Sequence, residues 1–241
     1  MTAPFEFRHA GYCDICETNV DFVAKQRWFR DHFICPCCLS VPRERALMQV
    51  LKLYYPDYRT KKIHESSPCG RGVSVRLARE SKKYSSSHFF PNQPLGSHNQ
   101  KFNVRNESLE ALTFDDASLD LIITQDVMEH VLDPEAAFRE IARVLKPGGA
   151  HVFTVPLVRK NEASRPRAVS RGDQTIEYLL DKQYHGNPVD ETGSLVTMDW
   201  GYDIVQVIMK ASGMPGQIIY TDDIGRGIRA EYIDVVISHK R

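Results

Sequence analysis

Four cysteines near the start of the chain carry its most specific chemical signal: Cys13-x2-Cys16, an 18-residue gap, then Cys35-x2-Cys38. Two residues between thiolates let one tight turn aim both sulfurs at a single ion. Two such turns complete a closed tetrahedral shell with bonds of about 2.3 Å, the pattern of structural zinc. A disulfide pair and four unrelated buried thiols are the alternatives, and nothing in the sequence supports secretion. Cys37 is read as a bystander, because Cys35 with Cys38 keeps the two-residue spacing. A closed shell leaves no open position, so this segment is expected to hold a fold rather than to react. Lys25, Arg27, Trp28, Phe29 and Arg30 lie between the two pairs. They form either a solvated hairpin face with one packed tryptophan or a basic and aromatic surface able to touch RNA or protein.

A second cluster is Tyr184-His185-Gly186-Asn187-Pro188, where glycine and proline fix a turn that displays three hydrogen-bonding side chains. His185 titrates near neutrality and is the preferred general base, with Tyr184 and Asn187 beside it to bind substrate. A turn satisfied by its own side chains is the alternative. Cys69 has no histidine partner identifiable by sequence, which argues against a nucleophilic role.

The elements that must position these residues are legible in outline. The chain has 241 residues, 42% hydrophobic and 26% charged, with 31 basic and 31 acidic residues, so it is expected to be globular with no global field for nucleic acid or anionic membrane. No apolar run approaches a membrane span, and a cytoplasmic protein is expected. Residues 1–41 read as the zinc-binding ribbon and residues 42–59 as a linking helix, Pro42 to Tyr55, with Leu47, Val50, Leu51 and Tyr54 at helical spacing. From residue 60 to 241 strand-like and helical runs alternate, the pattern of an α/β doubly wound, mostly parallel sheet. The predicted strands are Lys61 to Ser66, Tyr84 to Phe90, Leu119 to Thr124, Ala150 to Val155, Gln217 to Tyr220 and Glu231 to Ser238. A helix from Pro134 to Leu145 is capped by Asp133 and ended by Lys146-Pro147-Gly148-Gly149, and another spans about Gly201 to Ser212. The stretch 157–200 has no strong period and reads as a lid over the sheet edge.

Several segments in this order resemble class I S-adenosylmethionine-dependent methyltransferases. They are Glu65-Ser66-Ser67-Pro68-Cys69-Gly70-Arg71-Gly72 after a strand, Ala111-Leu112-Thr113-Phe114-Asp115-Asp116 before Ser118-Leu119-Asp120-Leu121-Ile122-Ile123, then Val127-Met128-Glu129-His130-Val131 and Arg143-Val144-Leu145-Lys146-Pro147-Gly148-Gly149. The resemblance covers residues 60 to 156 well and the last helix and two strands loosely. It implies a seven-stranded sheet with a reversed last strand, and S-adenosylmethionine as cofactor beside the zinc. By position it implies cofactor contacts from Glu65, Ser67, Gly70 and Gly72 in the first loop, from His88 at the end of the second strand, from Glu107, Ser108 and Leu109 at the adenine edge, and from Gln125. The chain departs from the family where an acid usually meets the ribose, offering Ser86-Ser87-His88-Phe89, and at Ser108, where Glu107 is the substitute.

Methyl transfer is an in-line displacement that needs a base only when the acceptor carries a proton. Asp126 and His130 follow the fourth strand, and either is expected to assist proton removal; a histidine that caps and packs the following turn is the alternative for His130. The expected activity is methylation of an oxygen or nitrogen on a small or glycan-like acceptor. A non-catalytic methyltransferase-like binding module, and an RNA methyltransferase that recognises its substrate through the ribbon, are the alternatives; the balanced charge favours neither nucleic acid nor membrane as partner.

Overall fold

A computed structural model of the protein describes residues 5–172 and 175–241, so residues 1–4 of the expected ribbon and 173–174 of the expected lid lie outside the described residues. The amino-terminal segment is a small antiparallel sheet: β1 (Phe7–Cys13) pairs β2 (Thr18–Ala24), and after a one-turn helix α1 (Phe29–His32), β3 (Phe33–Ile34) adds to β2. Strand alternation turns Phe22 and Ala24 inward against Phe33. Helix α2 (Pro42–Tyr54) follows, with proline in its first turn and Glu44 accepting from the Val41 N–H at 3.3 Å.

The large sheet takes its strands in chain order from β4 (Ile63–Ser66), β5 (Tyr84–His88), β6 (His98–Asn99), β7 (Val104–Asn106), β8 (Leu119–Gln125) and β9 (Leu145–Thr154). Helix α3 (Gly72–Glu80) connects β4 to β5, and α4 (Pro134–Val144) connects β8 to β9. Residues 157–200, expected as an irregular lid, hold three small antiparallel pairs. These are β10 (Arg165–Pro166) with β15 (Met198–Asp199), β11 (Ala168–Ser170) with β12 (Ile176–Tyr178), and β13 (Tyr184–Asn187) with β14 (Asp190–Leu195). Helix α5 (Ile204–Ser212), β16 (Gly216–Ile219) and β17 (Val235–His239) complete the chain.

The sheet has eight strands in the order β16-β17-β9-β8-β4-β5-β7-β6, rather than the seven expected. The extra strand is β6, which pairs antiparallel with β7 at the edge. The last strand is reversed as expected, since β17 runs antiparallel to both β9 and β16. It starts at Val235 rather than Glu231, because Tyr232 adopts a φ of 53° that no strand accommodates. Conversely, β9 starts at Leu145 and not at Ala150: Leu145 pairs Leu119, and a register irregularity absorbs the glycine pair.

Adjacent residues of each central strand feed opposite cores. Leu121, Ile123, Val152, Val235 and Ile237 join α2, α3 and the amino-terminal sheet in one apolar cluster. Ile122, Phe153 and Val236 join α4 and α5 in the other. No helix among the described residues is long and apolar enough to cross a membrane.

Candidate functional site

Both cysteine pairs fold into the same knuckle. The Glu17 N–H donates to the Cys13 carbonyl at 2.7 Å and the Leu39 N–H to the Cys35 carbonyl at 2.9 Å, with Glu17 and Leu39 at φ 56° and 59°. The turns bring Cys13 Sγ to 3.8 Å from Cys38 Sγ and Cys16 Sγ to 3.7 Å from Cys35 Sγ. All four sulfurs lie within 4.8 Å of one another. A tetrahedron with metal–sulfur bonds of about 2.3 Å has edges of about 3.8 Å, whereas a disulfide would draw two sulfurs to about 2.05 Å. The donor set therefore fits one tetrahedral ion, and exposed Cys37 stands outside it. The knuckles are tied to the large sheet's helices: Arg76 on α3 donates to the Asp14 and Ile15 carbonyls at 2.8 Å each, and the Gly72 N–H donates to the Cys38 carbonyl at 3.1 Å.

Strand order reverses between β4 and β8, which is where an open α/β sheet forms its ligand crevice at the carboxyl ends of the strands. The loop 67–71 leaves β4 here and Asp126 leaves β8. Glu65 and Gln125, each assigned to the cofactor by the resemblance, meet each other inside the protein. The fully buried Glu65 carboxylate accepts from Ser74 Oγ at 2.6 Å, Gln125 Nε2 at 2.6 Å and the Tyr84 hydroxyl at 2.7 Å. Burial pushes its pKa up. Gln125 Oε1 is buried with no hydrogen-bond partner among the described residues.

The two loop glycines face different surroundings. A Cβ on Gly70 would meet open space. Gly72 has a φ of 54°, and a Cβ there would overlap Glu44 Oε2 and approach Ser40 Cβ to 3.2 Å, so this glycine accommodates α2. Ser67 adopts a φ of 56° while its N–H donates to the Ser87 carbonyl at 2.7 Å. His88 lies buried at the end of β5, its ring at the edge of Phe90, and burial lowers its pKa.

At the expected adenine edge, buried Glu107 is engaged by Arg105 Nε, by the Thr113 N–H at 2.9 Å and by Thr113 Oγ1 at 2.5 Å. Ser108 Oγ accepts from the Glu110 N–H at 3.2 Å, and Leu109 packs in the α4 and α5 core.

Asp126 takes a φ of 52° and points its carboxylate at two arginines, Arg30 Nη2 at 2.8 Å and Arg43 Nε at 2.7 Å, with Thr154 Oγ1 donating at 3.1 Å. Burial works against ionisation, but the two guanidiniums outweigh it and hold the carboxyl at about 2. Asp126 is thus a fixed anion that positions its neighbours and is a feeble base. Sequence reasoning missed both partners: Arg30 was read within a basic and aromatic face, and Arg43 carried no signal.

The two candidate histidines come together, a meeting the sequence did not indicate. His130 and His185 stack edge to face with ring centroids 5.2 Å apart. His130 Nε2 and His185 Nδ1 each lie 3.8 Å from Glu129 Oε1, a residue whose role the sequence did not single out. Burial lowers His130 to about 4 and brings His185 below its ordinary value, so both are neutral proton acceptors near pH 7. Burial and the Asp126 charge raise Glu129 to about 8. Tyr184 is half exposed on β13. The Asn187 side chain serves its own turn, accepting from the Val189 N–H at 2.9 Å and donating to Ser194 Oγ at 3.0 Å.

Residues 68–153, from the loop after β4 into β9, match the sequence model of a family described as a methyltransferase domain. A stretch of 58 residues, 24% of the chain, is 41% identical to the dimethylglycine N-methyltransferase of Parasynechococcus marenigrum (strain WH8102), and the match spans 21% of that relative's length. Among solved structures, an S-adenosylmethionine-dependent methyltransferase from Mesorhizobium loti superposes with a TM-score of 0.51 at 17% identity, over 81% of this chain and 98% of that one. A counterpart from Methanosarcina mazei aligns with a TM-score of 0.43 at 16% identity, over 78% and 96%. Residues 68–153 are thus similar to a methyltransferase domain, and the chain shares the fold of the Mesorhizobium loti S-adenosylmethionine-dependent enzyme.

Proposed function

We propose that the protein is an S-adenosylmethionine-dependent methyltransferase that alkylates a nitrogen or oxygen of a small-molecule acceptor. The observation that carries this reading is the methyltransferase-domain match over residues 68–153, which contains the loop and the β8 end flanking the reversal point of the sheet. The relative named for N-methylation of dimethylglycine favours a nitrogen acceptor. Open space over Gly70 and the orphaned acceptor Gln125 Oε1 fit a cofactor that carries an ammonium group. Ser67 and His88, whose side chains make no hydrogen bond among the described residues, are the further contacts we assign to it.

The cofactor supplies an electrophilic methyl when bound, and the protein's part is alignment. As long as no ion occupies the two imidazoles, an acceptor that loses a proton on methylation would give it to His185, with His130 behind it. We assign Cys13, Cys16, Cys35 and Cys38 to structural zinc, supported by the 3.7–3.8 Å sulfur spacings.

One observation favours a second reading, a non-catalytic binding module: Glu107, the substitute acid at the adenine edge, is already committed to Arg105 and Thr113. Calorimetric titration of the zinc-loaded protein with S-adenosylmethionine and with its demethylated product decides between them. Micromolar binding of either supports the enzyme. No heat and no thermal shift at millimolar cofactor would reject it in favour of the binding module.

A further inference from the structure

We propose that Glu129, His130 and His185 form a second metal site, separate from the cysteine cluster, for a divalent ion of the manganese-to-zinc series. The first support is a buried carboxyl group without a partner. Glu129 is 2% exposed, and neither carboxylate oxygen has a hydrogen-bond partner among the described residues. A bare buried carboxylate is strongly disfavoured. The nearby arginines do not compensate it, because Arg30 and Arg43 are already matched by Asp126 and by Asp31, at 3.7 Å from Arg30 and 2.6 Å from Arg43.

The second support is where the imidazole lone pairs point. His130 Nδ1 donates to the Leu195 carbonyl at 2.8 Å, so a neutral ring keeps its lone pair on Nε2, which faces Glu129 Oε1 at 3.8 Å. Such an outer hydrogen bond is the usual way a metal-binding histidine is oriented. His185 Nδ1 faces the same oxygen at 3.8 Å, while its Nε2 lies 3.4 Å from the Gln183 amide, which accepts an N–H when its oxygen is turned inward. Three potential ligand atoms, all within 4.8 Å of one another, converge here. A cation at their centre would give each of them a partner.

Two imidazoles and one carboxylate are the ligand set of open catalytic sites, with remaining positions free for water or an acceptor atom. The present separations must contract to about 3.4 Å for metal–ligand bonds of about 2.0–2.1 Å. His185 sits on the β13–β14 hairpin, so that element can make the adjustment without disturbing the sheet. The ion would fasten the hairpin to the carboxyl end of β8.

The test uses full-length protein purified with zinc, so that the thiolates are filled, titrated with Mn2+ in the absence of S-adenosylmethionine. Manganese prefers oxygen and nitrogen donors to thiolates and therefore reports this site. The free Mn2+ resonance should disappear up to one added equivalent. Glu129→Gln and His185→Ala should each weaken binding at least about tenfold while tightly held zinc stays constant. The hairpin variant His185→Ala keeps the test valid should the buried substitution fail to fold. No Mn2+ bound at millimolar concentration, with no zinc beyond the cysteine-bound equivalent, would overturn the site, as would unchanged binding in both variants. The site does not rest on methyl transfer: Mn2+ binding without cofactor binding would retain it and reject the enzyme, and the converse would do the reverse.

Discussion

Gly70 and Gly72, two residues apart in the loop after β4, answer to different neighbours, and that difference makes the loop testable at single positions. Gly72 needs its missing side chain for folding: its φ is 54°, and a Cβ would displace Glu44, which accepts from Val41 and pairs with Arg71 at 2.9 Å. Alanine there adds backbone strain to a broken buried contact, so Gly72→Ala should lower the unfolding free energy by about 2–4 kcal/mol in a denaturant titration. Gly70 has no neighbour within 4 Å of a built Cβ. Gly70→Ala should stay within about 0.5 kcal/mol of the parent protein and yet weaken S-adenosylmethionine binding, because the added methyl occupies the approach that the cofactor needs. Equal destabilisation by the two substitutions would reject this division of labour.

At the scale of elements, the amino-terminal sheet is joined to the large sheet and its helices through shared interior. Cys13, Phe22 and Phe33 belong to the same apolar cluster as Leu47 and Leu51 of α2, Ile63 of β4 and Val73 of α3. Lys52 on α2 and Arg76 on α3 both donate to the Asp14 carbonyl in the first knuckle. Loss of the zinc we assign to the four cysteines should therefore be felt throughout. Structural zinc can contribute on the order of 10 kcal/mol, as much as the whole stability of a typical domain. Cys13→Ser should remove one zinc equivalent by elemental analysis and lower a single cooperative unfolding transition; a separate early transition with the main one unmoved would show an independent ribbon. The cysteine pairs were legible in the sequence because each knuckle is local, closed by one backbone bond within five residues. The same holds for α4, whose Asp133 side chain accepts from the Ala136 N–H at 2.9 Å. The β10–β15 pairs were not legible, since strands of two to six residues with mixed polarity are too short for a period to register. Nor were the partners of Asp126 or the meeting of His130 with His185, because those contacts depend on how α1, α2 and the hairpin dock, and no local pattern encodes docking.

For the molecule as a whole, the row of residues across β4, β8 and β9 reads His64, Ile122, His151, in register on the face that α4 and α5 cover. Both histidines are fully buried, bonded to Ser85 and Ser87 or to Thr124, and burial holds each at about 3. An unfolded chain binds protons at these rings near pH 6.5 while the folded chain refuses them. Their contribution is thus complete above about pH 6.5 and is lost as pH falls toward 3, at about 1.4 kcal/mol per pH unit for each ring. Glu129 works in the opposite sense: held up to about 8, it penalises the folded state increasingly as pH rises from its ordinary value toward 8. The total pH profile therefore mixes opposed slopes, and only a difference isolates the histidine. His151→Gln keeps a hydrogen-bonding partner for Thr124 and removes the titration. Between pH 7 and pH 5 the parent protein should lose about 2 kcal/mol more than this variant in denaturant titrations, since the carboxyl contributions cancel in the comparison. A stability gap that stays constant across that interval would mean that the ring is protonated within the fold, and that the face beneath α4 admits water.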